Sequence, residues 1–168
     1  MILTNYKETI EIINYDDNLS EWVKKLNIEW LEKYFRLEKG DVISLSNPKK
    51  EIIEKGGYIF FVKIRDKNNE EIVATASLLK KTDTIFELGK MAVTSEEQGK
   101  GIGKFLLKHC LDFAKNNGIS TIILYSNTVL QSAIHLYKKI GFEERPLEEG
   151  LYERANIKMQ LDLKNYSL

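Results

Sequence analysis

Cysteine is almost absent. Cys110 is the only one in 168 residues, which excludes an internal disulfide and a cysteine-based metal site. It sits among Leu106, Leu107, Leu111 and Phe113, where it reads as a small core residue. His109 and His135 are the only histidines, and neither belongs to an H-x-x-x-H pattern, so neither a metal site nor metal catalysis is expected. An excess of one charge is also missing. Lys plus Arg is 25 and Asp plus Glu is 25, whereas a nucleic-acid binder needs surplus cations on one face. The basic pairs (Lys24-Lys25, Lys49-Lys50, Lys80-Lys81, Lys138-Lys139) are scattered and read as solvated surface. No run of about 18 apolar residues is present, so no membrane span is expected. Met1 to Tyr15 has no basic patch followed by an apolar stretch, so no signal peptide is expected and a reducing cytoplasm is the anticipated location. No repeat, low-complexity tract or Pro/Gly linker divides the chain, and its length suits one domain over 1–168.

What is present is patterned apolar sequence, 43% of the residues, enough for a packed core. Thr9 to Tyr15 alternates as a first strand. Asp16-Asp17-Asn18 offers cap chemistry before Leu19, Trp22, Val23, Leu26, Trp30, Leu31 and Tyr34 at helical spacing. Gly40 and Pro48 punctuate the next stretch, with a short helix at Lys49 to Lys55 closed by Gly56-Gly57. Tyr58–Arg65, Glu71–Lys80 and Ile85–Val93 read as an antiparallel meander turning at Asn68-Asn69 and Thr82-Asp83. A helix over Ile102–Asn116, a strand over Thr121–Tyr125, a helix over Val129–Ile140 and a last strand over Glu153–Leu163 complete the order. This predicts an α/β (α+β) protein, a twisted mixed sheet with helices on its faces. The unit from Ile85 to Tyr125 forms a crossover, with a glycine loop and a helix start at the end of a strand.

That loop, Gln98-Gly99-Lys100-Gly101-Ile102-Gly103, suits an anion. Glycines admit positive φ and close backbone approach, and the following helix turn adds unpaired N–H groups and the positive dipole end. Lys100 and Lys104 add charge. A dinucleotide fingerprint fails, because its last glycine falls on Lys104 and the next strand ends in Tyr125-Ser126-Asn127 without an acid. A P-loop fails because Gly103-Lys104 is followed by Phe105. A glycine-rich turn without a ligand stays open on the loop alone.

Gln98-x-x-Gly101-x-Gly103 resembles the [QR]-x-x-G-x-[GA] signature of the GNAT superfamily of N-acetyltransferases. Glu87-Leu88-Gly89-Lys90-Met91-Ala92-Val93 looks like that family's central strand at the usual distance upstream. Ser126-Asn127, then Ala133 to Phe142, resembles its closing A-x-x-L-Y-x-x-x-G-F element. The three blocks, in order, cover about half the chain.

The resemblance implies the GNAT acyl-CoA N-acyltransferase fold, acetyl-CoA (coenzyme A) as donor, and a small-molecule or peptide amine as acceptor, joined in a ternary complex. It implies that Met91, Ala92 and Val93 bind the pantetheine arm as an added strand. It assigns the diphosphate to the backbone of Gln98, Gly99, Lys100, Gly101, Ile102, Gly103 and Lys104, and puts Asn127 and Tyr137 near the thioester. Tyr137 occupies the family's general-acid position; packing on a helix face between Ile134 and Ile140 is the structural alternative. Glu87 matches a glutamate used as base in several members. Burial in a strand would push its carboxyl toward a useful base, while an ion pair with Lys90 or Arg154, or plain solvent exposure at the cleft, is the structural alternative; many relatives use a water chain in place of a protein base. Trp22, Trp30, Tyr34 and Phe35 are expected chiefly to pack in the core. Glu32, Glu38 and Asp41 could attract a substrate ammonium but read first as ordinary surface charge, and Arg154 is a candidate for a substrate carboxylate. A non-catalytic acyl-CoA-binding sensor or interaction module is the rival from another class. A homodimer is compatible with either.

Overall fold

Phe60 and Phe61 are neighbours in sequence yet point to opposite faces of one strand, and that alternation builds two cores. The computed structural model of the chain describes residues 2–5 and 8–167, with side chains from residue 8 onward; Met1, Tyr6, Lys7 and Leu168 lie outside the described residues. The elements are β1 (Ile2–Asn5), β2 (Glu8–Asn14), α1 (Ser20–Tyr34), α2 (Lys39–Ser46), β3 (Tyr58–Arg65), β4 (Glu70–Lys80), β5 (Ile85–Val93), α3 (Ile102–Asn116), β6 (Thr121–Ser126), α4 (Gln131–Ile140), β7 (Glu143–Arg145) and β8 (Ile157–Asp162). They form one eight-stranded sheet in the order β1-β2-β3-β4-β5-β6-β8-β7. Among the described residues only β5 and β6 pair in parallel, joined through α3; the other pairs are antiparallel.

On one face, Phe60, Val62 and Leu78 meet Leu106, Cys110 and Leu111 of α3, with Ile134 of α4 in the same core. On the other face, Ile59 and Phe61 meet Val23, Leu26 and Leu31 of α1 and Leu45 of α2. Each large apolar side chain buried in this way contributes roughly 1.5–3 kcal/mol. Cys110 is fully buried and desolvation pushes its thiol up to about 12, so it is the inert core residue that its neighbours suggest.

Asp16 starts the first helical region by accepting the Asn18 N–H at 2.8 Å, opening a 3-10 turn that runs into α1. The sequence expectation differs from the structure in five places. Strand β1 adds an edge that the sequence pattern does not announce. Helix α2 replaces an expected loop: Gly40 lies inside its first turn, and a reciprocal capping box between Glu38 and Asp41 outweighs the weak propensity of that glycine. The short helix expected over Lys49–Lys55 is a single π-type turn, Lys49–Ile53. The last strand begins at Ile157 rather than Glu153, because residues 153 and 154 form a turn and Arg154 and Ala155 line the cleft. Strand β7 precedes it.

The feature that positions the site is a splay. Pairing of β5 with β6 runs from Ile85 opposite Thr121 to Leu88 opposite Leu124 and stops there. Strand β5 continues to Val93 along β4 alone, so its other edge is open.

Candidate active site

The splay opens a cleft of about 720 Å³ lined by β5 from Glu87 to Val93, the glycine loop, the end of β6, and α1 and α4. Its floor is irregular. Between Thr75 opposite Ala92 and Ser77 opposite Gly89, β5 carries one residue more than β4, a β-bulge. Lys90 lies in that bulge with φ +50, the only positive φ of a non-glycine among the described residues. Asn27 of α1 ties the bulge down: its Nδ2 donates to the Lys90 carbonyl at 3.1 Å and to Val23 of its own helix at 2.8 Å. It is buried, at the i+4 position from Val23 and the i−4 position from Leu31. A polar residue on an apolar helical stripe is the signal that sequence reading could have used to find it.

Beyond the bulge, the Thr94 N–H bonds back to Val73 at 2.8 Å. Alternation along the ladder therefore turns the N–H and C=O of Val93 away from β4, into the open side. The Gln98 side chain donates to the Val93 carbonyl at 3.0 Å. The amide of Gln98 thus fixes the strand end, a use that its place in the signature does not reveal. Gly99 (φ +76) and Gly101 (φ +85) turn the loop through the left-handed region. Among the described residues the N–H groups of Gly99, Lys100 and Gly101 donate to no backbone carbonyl, and those of Ile102, Gly103 and Lys104 begin α3. Lys100 is held by Glu97 at 3.1 Å, whereas Lys104 is exposed with no ion pair among the described residues.

Tyr137 projects from α4 and lines the cleft, packed edge-on against Phe142 with ring centroids 5.6 Å apart. Desolvation pushes its phenol up to about 12, so it stays protonated at neutral pH. Its hydroxyl has no hydrogen-bond partner among the described residues. Asn127 also lines the cleft, but both ends of its amide are engaged: Nδ2 donates to the Arg154 carbonyl at 2.8 Å and Oδ1 accepts the Val129 N–H at 3.0 Å. It acts on the loop before α4.

Glu87 is buried at 3% exposure and reaches the cleft. Its partners are neither Lys90 nor Arg154. Tyr152 donates to Oε1 at 2.9 Å, and Lys81 lies 2.7 Å from Oε2. That second contact is ionic and off the hydrogen-bond line, since Oε2 accepts no hydrogen bond. Burial first, and the Glu87 charge second, push the Tyr152 phenol up, which keeps it a donor. Asp41 is not surface charge but 3% exposed, and Arg154 grips it with a two-pronged fork at 2.6 and 2.7 Å. Burial works against the Asp41 charge; the Arg154 fork, the Glu38 N–H and Lys90 outweigh it and hold its carboxyl below the usual range. Arg154 is therefore committed to a protein carboxylate. Of the aromatic group, Trp30, Tyr34 and Phe35 wall the cleft, with Trp30 5.5 Å from Phe35 and 5.8 Å from Tyr34 between centroids. Trp22 stays on the core side beneath Lys25.

The cleft therefore combines a splayed sheet, an open strand edge, a glycine loop and a helix start with unpaired amides. The sequence model of the Acetyltransferase (GNAT) family matches residues 17–142, and the chain belongs to that family. It is 37% identical over 71 residues to probable N-acetyltransferase family 8 member 5 of Mus musculus, covering 42% of this chain and 30% of that protein. It is 30% identical over 120 residues to N-acetylaspartate synthetase of Xenopus tropicalis, covering 71% of this chain and 41% of that protein. The match thus spans less than half the length of both relatives. In fold it is similar to the crystal structure of an acetyltransferase of the GNAT family from Staphylococcus aureus Mu50, with a TM-score of 0.79 and 23% identity over 92% of this chain and 99% of the other. It is also similar to spermidine N-acetyltransferase from Vibrio cholerae in complex with CoA and spermine, with a TM-score of 0.67 and 18% identity over 94% and 97%.

Proposed function

We propose that the protein is an N-acetyltransferase that moves an acetyl group from acetyl-CoA to a primary amine of a small molecule or peptide within a ternary complex. The observation that carries this reading is the open edge of β5 leading to six loop and helix-start N–H groups, from Gly99 to Lys104. An elongated ligand ending in a diphosphate fits such a surface, because the amides are unpaired, the two left-handed glycines place no side chain in their way, and Lys104 is free to add charge. The likeness to a fold neighbour described with CoA bound supports the same ligand.

When bound, acetyl-CoA supplies a thioester as the acyl donor. The protein's part is fourfold. The Val93 amide, turned into the open side, holds the pantetheine arm as a neighbouring strand would. An N–H of the segment Met91–Val93 meets the negative charge that grows on the acyl oxygen as nitrogen attacks. Glu87, held by Tyr152, takes a proton from the amine, whose ammonium form has an ordinary pKa of about 10.4 and so needs a base near neutrality. Tyr137 gives its proton to the departing sulfur as the carbon–sulfur bond breaks. Its phenol, raised by burial and lacking a partner, is available as a donor throughout the neutral range. The lone, buried Cys110 suits a reducing cytoplasm, the location that goes with this reading. Among the described residues no helix is long and apolar enough to cross a membrane.

The test is release of free thiol from acetyl-CoA against a panel of amines. The wild-type protein is expected to turn over, and Tyr137→Phe is expected to lower kcat by roughly 10²- to 10⁴-fold with CoA affinity unchanged. Turnover by Tyr137→Phe at the wild-type rate removes the acid; no amine-dependent thiol release by the wild type overturns the reading.

A further inference from the structure

The acceptor end of the cleft holds two cations over one buried carboxylate. Both Asp41 oxygens are taken by Arg154 at 2.6 and 2.7 Å. Lys90 approaches the same carboxylate only to 3.6 Å, beyond hydrogen-bond distance, although its side chain is just 14% exposed. Glu38, on the outer side, contacts Arg154 at 3.5 Å and is 25% exposed. Burial lowers the pKa of Lys90 and Asp41 opposes that effect. An ammonium on a mostly buried stem that faces the cleft with no protein partner at hydrogen-bond distance is open to an acceptor supplied by a ligand. Lys90 lines the cleft, and the Glu87 carboxylate is close enough for its charge to act on Lys90. Opposite stands the apolar wall of Trp30, Tyr34 and Phe35.

Resting on the acetyl-transfer reading, we infer that the acceptor is an aminocarboxylate, a free amino acid or a chain end carrying one, whose amine lies toward Glu87 and whose carboxylate completes the partners of Lys90. An apolar or aromatic side chain then lies on the Trp30–Phe35 wall. A polyamine is disfavoured, because every carboxylate at this end already has a cation: Asp41 has Arg154, Glu38 has Arg154, and Glu87 has Lys81. A second and third ammonium would find no free anion.

The experiment compares L-phenylalanine with phenethylamine, and L-leucine with isopentylamine, pairs that differ only in the carboxylate. In the wild-type protein each amino acid is expected to exceed its partner in kcat/KM by roughly 10- to 100-fold, the worth of a hydrogen-bonded charge pair in a partly desolvated site. Lys90→Met is expected to collapse that ratio toward one, and Lys90→Arg to keep most of it. Equal or better turnover of the decarboxylated amines by the wild type overturns the carboxylate subsite while leaving acetyl transfer standing, as does a ratio that survives Lys90→Met. Calorimetry of L-phenylalanine with the CoA-loaded protein reads the subsite without turnover: binding that requires Lys90 supports it, and binding indifferent to Lys90→Met sinks it. Absence of thiol release with every amine overturns the acetyl-transfer reading instead.

Discussion

The two ends of the cleft are built on different plans. On the proposed reading, the donor end is made of backbone, from one nearly continuous stretch: the open edge of β5 up to Val93 and the amides of Gly99 to Lys104. The acceptor end is made of side chains brought from Asn27, Asp41, Glu87, Lys90, Tyr152 and Arg154, spread over most of the chain. A backbone site depends on where φ can be positive and where a strand lacks a neighbour. A side-chain site depends on burial, caps and ion pairs. Substitutions at the two ends should therefore fail in different ways.

The largest effect is expected at the acceptor end, and in stability. Arg154→Met leaves Asp41 buried without its fork, a loss of about 3–5 kcal/mol at neutral pH. The folded pKa of Asp41 lies below its ordinary 3.8, so its pairing stabilises the fold fully above that value and is lost as pH falls through the lower folded value. Denaturant titration of both proteins should show a wide gap at pH 7 that narrows on going below about pH 3.8. A gap that does not change with pH would assign the loss to packing alone.

Next is the donor end. Gly101→Val places a β-branched residue at φ +85, where a side chain costs roughly 1–2 kcal/mol or more. Calorimetric CoA affinity is expected to drop about 10- to 100-fold while the Arg154–Asp41 end keeps its preference among acceptors. Loss of acceptor preference along with CoA affinity would mean the two ends are not separable.

The smallest effect sharpens the boundary between them. Asn27→Leu removes the donor that holds the Lys90 carbonyl in the bulge. It is expected to lower kcat roughly tenfold, the worth of one displaced hydrogen bond at the reacting carbonyl, with CoA affinity within about twofold. Equal losses in both would show that the bulge serves the whole cleft.

The same contrast explains what the sequence reveals. Apolar periodicity makes the mixed sheet and helices α1, α3 and α4 legible from residues alone, and the glycine loop from Gln98 to Gly103 is legible as a helix-start turn; its assignment to a donor comes from the resemblance carried by that loop, the strand before it and Ala133 to Phe142. Helix α2 is not legible, because Gly40 argues against a helix and the local Glu38–Asp41 capping box that overrides it uses two acids in place of the usual Ser/Thr and Glu/Gln pair. The expectation that Asp41 is surface charge fails for a longer-range reason, since nothing local shows that α2 turns this carboxylate inward to Arg154. Glu87 is legible as a buried acid, but its partners are not: Lys81 lies six residues along and Tyr152 sixty-five. Asn27 is visible only as a polar break in an apolar stripe, and its target, a bulge carbonyl, exists only once the sheet has splayed.

Amide hydrogen exchange with and without CoA tests the donor end most directly. Slowing of exchange at Val93 and across Gly99 to Lys104 on addition of CoA, with no such slowing when pantetheine lacking the diphosphate is used for the loop amides, is the predicted result. Protection confined to other segments, or no protection at millimolar CoA, contradicts the account.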